Sequence, residues 1–255
     1  MYPTERKLII SEVLQKRNII AISELSKILQ VSEATIRRDI KDMAKEGKIS
    51  THYGVARLDE KPAEQRIPYV KRSEMLIDEK NRIAKKALEY VELRESIFLD
   101  AGTTCMSIAT KLLEWDAPLT VVTSAFNIAQ VLQANRSITV ILTGGVLRNT
   151  SDSMVGSITE DALKKLNISK AFIGVAGISI ENGITCSNLL EARARQIIYE
   201  KAKMRIIVAD HTKFDRISLV TVCPIDKINI LITDKLPSQE ILQQFQKHRI
   251  ELIVA

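Results

Sequence analysis

Four short segments combine hydroxyls, bare backbone and charge in a way that suits an anion: Asp100-Ala101-Gly102-Thr103-Thr104, Thr123-Ser124, Thr143-Gly144-Gly145 and Asp210-His211-Thr212-Lys213. The first is the most informative. A glycine lets a ligand approach the backbone closely, and the two threonines after it add hydroxyls. If a helix begins there, its unpaired N–H groups and its dipole favour a phosphate. Gly144 and Gly145 offer a second stretch of bare backbone, and Lys213 a mobile cation for the same anion. Thr123 and Ser124 bring two further hydroxyls. Each segment alone has an ordinary reading as a helix cap, a turn or a surface lysine. Their shared position after separate strands is what makes one anion site of them.

The strands that would position these segments are legible as apolar runs. After a helix over roughly Asp78 to Glu92, such runs fall at Ser96–Leu99, Leu119–Val122, Ile138–Leu142, Ala171–Val175, Arg205–Ala209 and Ile228–Ile232, with helical segments between most of them. Near-continuous apolar strands alternating with helices imply an α/β domain, its mainly parallel sheet covered on both faces. In such sheets ligands bind at the carboxyl ends of the strands, where all four segments stand.

A different chemistry opens the chain. Three helical patterns follow one another: about Thr4 to Arg17, with Thr4 as cap, a second announced by Ser23, and a third from Glu33 to about Glu46. Leu25, Ile28 and Leu29 form the expected inner side of the second. Gln30-Val31 is the tight connection, Ser32 caps the third helix and Gly47 ends it. At 100° per residue, Ile36, Ile40 and Met43 of the third helix fall on one face. Ala34, Arg37, Arg38, Lys41 and Lys45 fall on the other, with Asp39, Asp42 and Glu46 to one flank. A small residue near the helix start permits close approach to a groove, and the arginines can then reach guanine edges or phosphates. Two strand-like runs around His52-Tyr53-Gly54 follow, which reads as a hairpin wing. The whole is a winged helix-turn-helix, with double-stranded DNA as its expected partner.

Composition agrees with this division. Lys and Arg number 37 against 31 Asp and Glu, a net charge of +6 over 255 residues. Within residues 1–57 eleven basic residues stand against seven acidic ones, so about two thirds of the excess lies on under a quarter of the chain. A small basic domain on a nearly neutral larger one fits nucleic-acid binding plus a second task. We expect a DNA-binding domain over residues 1–58, a linker over 59–76, polar and twice interrupted by proline between Asp59 and Pro68, and an α/β domain over 77–255. The three scattered cysteines form no CxxC pair, so neither a disulfide framework nor a metal site is expected. No apolar run approaches the roughly 20 residues that span a bilayer, and the N-terminus carries no apolar leader. A cytoplasmic protein without membrane contact is expected.

Arg6, Ile10, Leu14 and the run Ser32-Glu33-Ala34-Thr35-Ile36-Arg37-Arg38-Asp39-Ile40 resemble the helix-turn-helix signature of the DeoR family. The resemblance implies operator DNA as the partner, with Thr35, Arg37 and Arg38 at recognition-helix positions. The wing departs from the family's Arg-x-His-Gly-Gly-Ala, reading Ser50-Thr51-His52-Tyr53-Gly54-Val55. Phe98 to Thr104, Val121 to Ser124, Thr143-Gly144-Gly145 and Ala209 to Phe214 are similar to the family's sensor motifs. That resemblance implies a fold similar to ribose-5-phosphate isomerase and glucosamine-6-phosphate deaminase. It also implies a phosphorylated sugar or polyol as effector, with Asp100, Gly102, Thr103, Thr104 and Lys213 as contacts. Departures fall at Ser124-Ala125, where the family commonly has Asn-Ser, and at Glu191-Ala192-Arg193-Ala194-Arg195-Gln196, where Lys-Arg often ends the motif.

The rival reading is a sugar-phosphate isomerase carrying a DNA-binding module. An isomerase needs a carboxylate base beside the phosphate cradle. The comparable stretch, Gly174-Val175-Ala176-Gly177-Ile178, has no acid, and Asp152 and Glu191 cannot be placed from sequence. No GxGxxG or GxxxxGK[ST] motif points to a nucleotide, and His52, His211 and His248 lack metal-ligand spacing. The expectation is therefore a non-enzymatic repressor of carbohydrate-metabolism genes. It would need no cofactor, act as a homo-oligomer (dimer or tetramer), and be relieved by a sugar phosphate.

Overall fold

Ile36, Ile40 and Met43 recur at helical spacing, and the computed structural model buries all three on one side of a helix. The structure describes residues 6, 7, 9–11, 13, 14, 19–45, 49–52, 54–58 and 69–255. The chain divides into two units, Met1–Ala63 and Glu64–Ala255.

In the first unit, residues 6, 7, 9–11, 13 and 14 lie in helix α1. Strand β1 (Ile19–Ala21), α2 (Ile22–Leu29), α3 (Glu33–Lys45), β2 (Ile49–His52) and β3 (Val55–Leu58) follow. The β2–β3 hairpin pairs Ile49 with Leu58 and His52 with Val55, and β1 adds to the far side of β3. This is the expected winged helix-turn-helix. Its core is Ile10, Leu14, Ile22, Leu25, Leu29, Ile36, Ile40 and Met43, closed by Ala56 of the wing. Gln30 turns the chain between α2 and α3 in the left-handed conformation, at φ 52°. The Ser32 hydroxyl accepts a hydrogen bond from Thr35 N at 3.2 Å and so caps α3.

Three expectations for this unit are corrected. Ser23 does not announce α2: the helix begins at Ile22, with Ala21 at the N-cap and no side-chain cap. Ile28 is 46% exposed, because Ile22 takes the inner place with Leu25 and Leu29, and Ile28 lies roughly 90° round the helix from them. Asp39 is not a solvated flank residue but is 3% exposed. It accepts two hydrogen bonds from Arg6 of α1, from Nε at 2.7 Å and Nη2 at 3.2 Å. Thr4, Gly47, Tyr53 and the Asp59–Pro68 connection lie outside the described residues.

The second unit begins with α4 (Tyr69–Glu74) and α5 (Ile77–Leu88). Its main sheet contains β4 (Ser96–Leu99), β5 (Leu119–Thr123), β6 (Ile138–Leu142), β9 (Ile168–Ile173), β12 (Ala202–Val208), β14 (Ile230–Thr233) and β15 (Glu251–Val254). The strand order is β15-β14-β12-β9-β4-β5-β6, and every pairing is parallel. Helices α6 (Thr103–Lys111), α7 (Phe126–Leu132), α8 (Ser157–Lys164), α9 (Leu189–Lys201) and α10 (Gln239–Lys247) accompany it. Successive side chains of β4 alternate between two cores. Ile97 and Leu99 pack with Ile83, Ala87 and Ile108, whereas Phe98 packs with Ile173, Ile198 and Phe245.

The structure also contains strands that the apolar runs did not announce. β7 (Val146–Arg148) and β8 (Ser153–Val155) form a hairpin, while β10 (Gly177–Ser179), β11 (Gly183–Cys186) and β13 (Val220–Cys223) form a small antiparallel sheet. All are three or four residues long, too short for a periodicity to emerge. β9 starts at Ile168, β12 at Ala202 and β14 at Ile230, so the apolar runs located these strands but misplaced their starts. Cys105, Cys186 and Cys223 are buried free thiols.

Candidate functional site

Where β4 ends, Asp100 is 3% exposed. Its Oδ1 accepts from Ala101 N at 2.8 Å, and its Oδ2 accepts from Arg195 Nε at 2.8 Å. Arg195 belongs to α9, whose start is set by Asn188. The Asn188 side-chain oxygen accepts from Leu190 N at 3.0 Å and from Glu191 N at 3.3 Å. One turn before Arg195, Glu191 faces the same way and stands 3.5 Å from its Nη1. The other Glu191 oxygen accepts from Ser151 Oγ at 2.8 Å and lies 3.5 Å from Arg148 Nε. An unbroken polar chain therefore joins the end of β4, helix α9 and the β7–β8 hairpin.

Asp100, Glu191 and Arg195 line a small recess, part of it open to solvent, together with Ser124 and Ser153. Burial pushes the Asp100 carboxyl up, and the Arg195 guanidinium pulls it back. Burial works against the Arg195 charge, but Asp100 and then Glu191 outweigh it and raise its pKa. The contact at 2.8 Å is that of an ionised pair.

The residues singled out by sequence do not all meet here. Gly102 precedes α6, which has no side-chain cap, and its backbone is extended at φ 163°. A Cβ at Gly102 would meet nothing within 4 Å. Neither conformation nor packing requires a glycine there, and the space before the first turn of α6 stands open. Thr103 is half-buried, and Thr104 and Ser124 are 8% and 5% exposed. Thr123 is fully buried, and its hydroxyl donates to Leu99 O at 2.7 Å and accepts from Ala125 N at 3.0 Å. That hydroxyl ties the ends of β4 and β5 together.

Gly144 and Gly145 do not line the recess. A Cβ at Gly145, where φ is 121°, would strike the Thr159 hydroxyl and lie 2.7 Å from Val155 O. Thr159 in turn donates to Gly144 O at 2.6 Å, so close packing of α8 accounts for Gly145, and a left-handed φ of 73° accounts for Gly144. Lys213 ends the short turn His211–Lys213, which Asp210 caps by accepting from Thr212 N at 3.0 Å. Burial and then Arg216 lower the Lys213 pKa to about 8. Lys213 is not among the residues that line the recess. His211 is held by Asp234, with N–Oδ1 and Nδ1–Oδ2 distances of 2.6 Å.

Arg195 and Arg148 escaped the sequence reading, and Glu191 could not be placed by it. The available signal was Asn188 three residues before Glu191, an N-cap pattern, with Arg195 one further turn along the same face. Nothing local ties Arg195 to Asp100, 95 positions earlier.

In the first unit, Ala34, Arg37, Arg38 and Lys41 are all exposed on α3. Arg37 Nη2 lies 3.3 Å from Glu33 Oε2, one turn earlier on the exposed surface. Thr35 is half-buried, with its hydroxyl 2.9 Å from Ser32 Oγ. His52 lies in β2 at the end of the wing hairpin, but its side chain is outside the described residues.

Residues 6–62 match the DeoR-like helix-turn-helix domain, and residues 76–235 match the DeoR C terminal sensor domain. The chain is 32% identical over 244 residues to the HTH-type transcriptional regulator IolR of Bacillus subtilis, covering 96% of each chain. It is 29% identical to the glycerol-3-phosphate regulon repressor of Escherichia coli, covering 99% of each. Among solved structures it is similar to ribose 5-phosphate isomerase A of Methanocaldococcus jannaschii, at 15% identity and TM-score 0.41 over 54% of each chain. With both of its units matched, the chain belongs to the DeoR family of DNA-binding transcriptional regulators.

Proposed function

We propose that this regulator represses carbohydrate-metabolism genes and is released from its operator by a phosphorylated sugar or polyol bound in the recess at the strand ends. One observation carries the reading. Two carboxylates, Asp100 and Glu191, and one guanidinium, Arg195, line a recess at the end of β4, next to an uncapped α6 whose leading glycine leaves open space before it. The N–H groups of the first turn of α6, with Thr103 and Thr104, suit a phosphoryl group. Asp100, Glu191, Ser124 and Ser153 suit sugar hydroxyls. Lys213 is the further cation, held where burial already weakens its charge. A relative named for the glycerol-3-phosphate regulon supports a phosphorylated ligand of this kind.

On the DNA side, Ala34, Arg37, Arg38 and Lys41 face the major groove, Ser32 and Thr35 fix the start of the helix against the phosphates, and His52 and Tyr53 are the further DNA contacts that the sequence assigns to the wing. The protein acts as a symmetric dimer or tetramer, with recognition helices about 34 Å apart on successive groove faces. Effector relieves repression by binding better to the state that spaces those helices wrongly. Its place of work is the cytoplasm, where operator DNA lies. Among the described residues, no helix is long and apolar enough to cross a membrane. The DNA-binding domain covers 1–58 and the effector domain 77–255, and of the expected linker over 59–76 the part that forms α4 (Tyr69–Glu74) goes with the second unit.

An isomerase reading is less well supported. Asp100 and Glu191 each hold an arginine, and a carboxylate fixed in that way is a poor proton acceptor. The loop between β9 and β10, Gly174-Val175-Ala176, supplies no acid. Incubation with pentose and hexose phosphates, followed by product analysis, should show no turnover. Turnover abolished by Asp100→Asn would overturn the non-enzymatic reading.

A further inference from the structure

Helix α4 is not used by the reading above, and it carries two buried donors without acceptors. Tyr69 and Arg72 lie three residues apart on one face of it, and the Arg72 guanidinium carbon stands 5.8 Å from the Tyr69 ring centroid. The Arg72 Nε and the Tyr69 hydroxyl are both shielded from solvent, and neither makes a hydrogen bond of good geometry among the described residues, although Asn127 of α7 is near enough to interact with the Tyr69 hydroxyl. Few buried polar groups in folded proteins are left in this state, and a guanidinium is among the costliest to leave so.

Geometry places these two side chains beside the proposed cradle, because α4 packs against α6, although neither Tyr69 nor Arg72 is among the residues that line the recess. The charged groups around them agree with that placement. Burial lowers the Arg72 pKa; Glu191 and Tyr69 oppose that, while Arg195 adds to it. Burial pushes the Tyr69 hydroxyl up to about 12 against a pull from Asn127 on α7, and Asp152, in the turn between β7 and β8, adds to the rise. Asp100 has Arg195 at hydrogen-bond distance, whereas Arg72 Nε has no acceptor among the described residues and is left as a donor for another group.

The far end of α4 is fixed. Lys80 of α5, 4% exposed, donates to Arg72 O and to Met75 O. Its charge is disfavoured by burial and supported by Asp210 at the end of β12. A buried lysine of α5 therefore holds the end of this six-residue helix.

We propose that α4 belongs to the effector site, with Arg72 and Tyr69 donating to the anionic group of the ligand. Occupancy then orders the first helix after the connection to the DNA-binding unit. The proposal rests on the reading of the recess as a phosphorylated-ligand site. The two can fail separately. Full-length protein is titrated calorimetrically with inorganic phosphate, glycerol 3-phosphate and glucose 6-phosphate, each sugar or polyol beside its unphosphorylated parent. The best-bound probe is then taken to three variants.

Gly102→Val fills the open space before α6 without backbone strain and should abolish binding. Arg72→Gln should weaken it about 10- to 100-fold, and Tyr69→Phe, which removes one hydroxyl, about 3- to 10-fold. Without ligand, Tyr69→Phe should be at least as stable as the parent, since it deletes an unsatisfied buried donor. Amide exchange over Tyr69–Glu74 should slow on saturation of the unmodified protein. If Gly102→Val abolishes binding while Arg72→Gln and Tyr69→Phe bind as tightly as the parent, α4 is not in the site and the recess reading survives. If the unmodified protein binds none of the probes, the recess reading falls and this proposal with it.

Discussion

Among the described residues, each unit is crossed by one arginine–aspartate pair, and the two differ in their surroundings rather than their chemistry. Arg6 and Asp39 join α1 to α3 at 2.7 Å, and Arg195 and Asp100 join α9 to the end of β4 at 2.8 Å. In the first pair, Asp39 accepts from two nitrogens of one arginine, over a helical core of aliphatic side chains. The second pair continues into Glu191, Ser151 and Arg148 and opens on a recess. A closed pair fixes the angle between two helices. An open chain of charges fixes loops and leaves acceptor and donor edges for a ligand. The same two residue types are therefore structural in one place and, on the function we propose, ligand-facing in the other.

Breaking the deeper pair should have the largest effect. Arg195→Met strands the Asp100 carboxylate in the core and should cost about 3–5 kcal/mol, read from the denaturant midpoint of the second unit. Arg6→Met should cost distinctly less: the two pairs are equally shielded from solvent, but the small first unit surrounds its pair with less protein and so desolvates the stranded carboxylate less. Equal losses would erase the distinction between the two pairs.

Arg38→Ala tests the other side of the comparison, a cation with a role at the surface rather than in the fold. Operator affinity should fall about 10- to 100-fold, with stability and effector binding unchanged. Unchanged DNA affinity would remove this face of α3 from recognition.

The smallest effect concerns pH. Lys213 has a pKa of about 8 in the folded chain against an ordinary 10.5. Between those values the unfolded chain binds the extra proton, so this residue makes stability rise with pH from about 8 to about 10.5. Below 8 it is a standing cost. Lys213→Met should raise stability at pH 7 and flatten that rise, as urea midpoints at pH 7 and 9.5 would show. A variant with an unaltered profile would mean that the Lys213 charge is not opposed by its surroundings.

What was legible in the sequence followed from short-range periodicity. The bounds of β4 came directly from an apolar run that stops at Asp100, and the inner face of α3 came from the spacing of Ile36, Ile40 and Met43. What was not legible depends on contacts distant in the chain. Asp39 reads as a solvated flank until Arg6, 33 residues earlier, is seen beside it. Nothing in the helix expected over Asp78 to Glu92 marks Lys80, yet it is buried and donates to carbonyls of Arg72 and Met75. Gly145 reads as bare backbone for a ligand, whereas Thr159 and Val155 are what require it. Sequence found the strand end where the site stands, and the arginines that furnish it come from α9 and the β7–β8 hairpin.

The most direct test of the account is fluorescence anisotropy on an operator duplex from the protein's own upstream region. Phosphorylated sugars and polyols are titrated in beside their unphosphorylated parents. The account predicts salt-sensitive, specific binding that one phosphorylated ligand reverses and its parent does not. Specific binding that every phosphate leaves unchanged, or that a parent sugar shifts equally well, would contradict it.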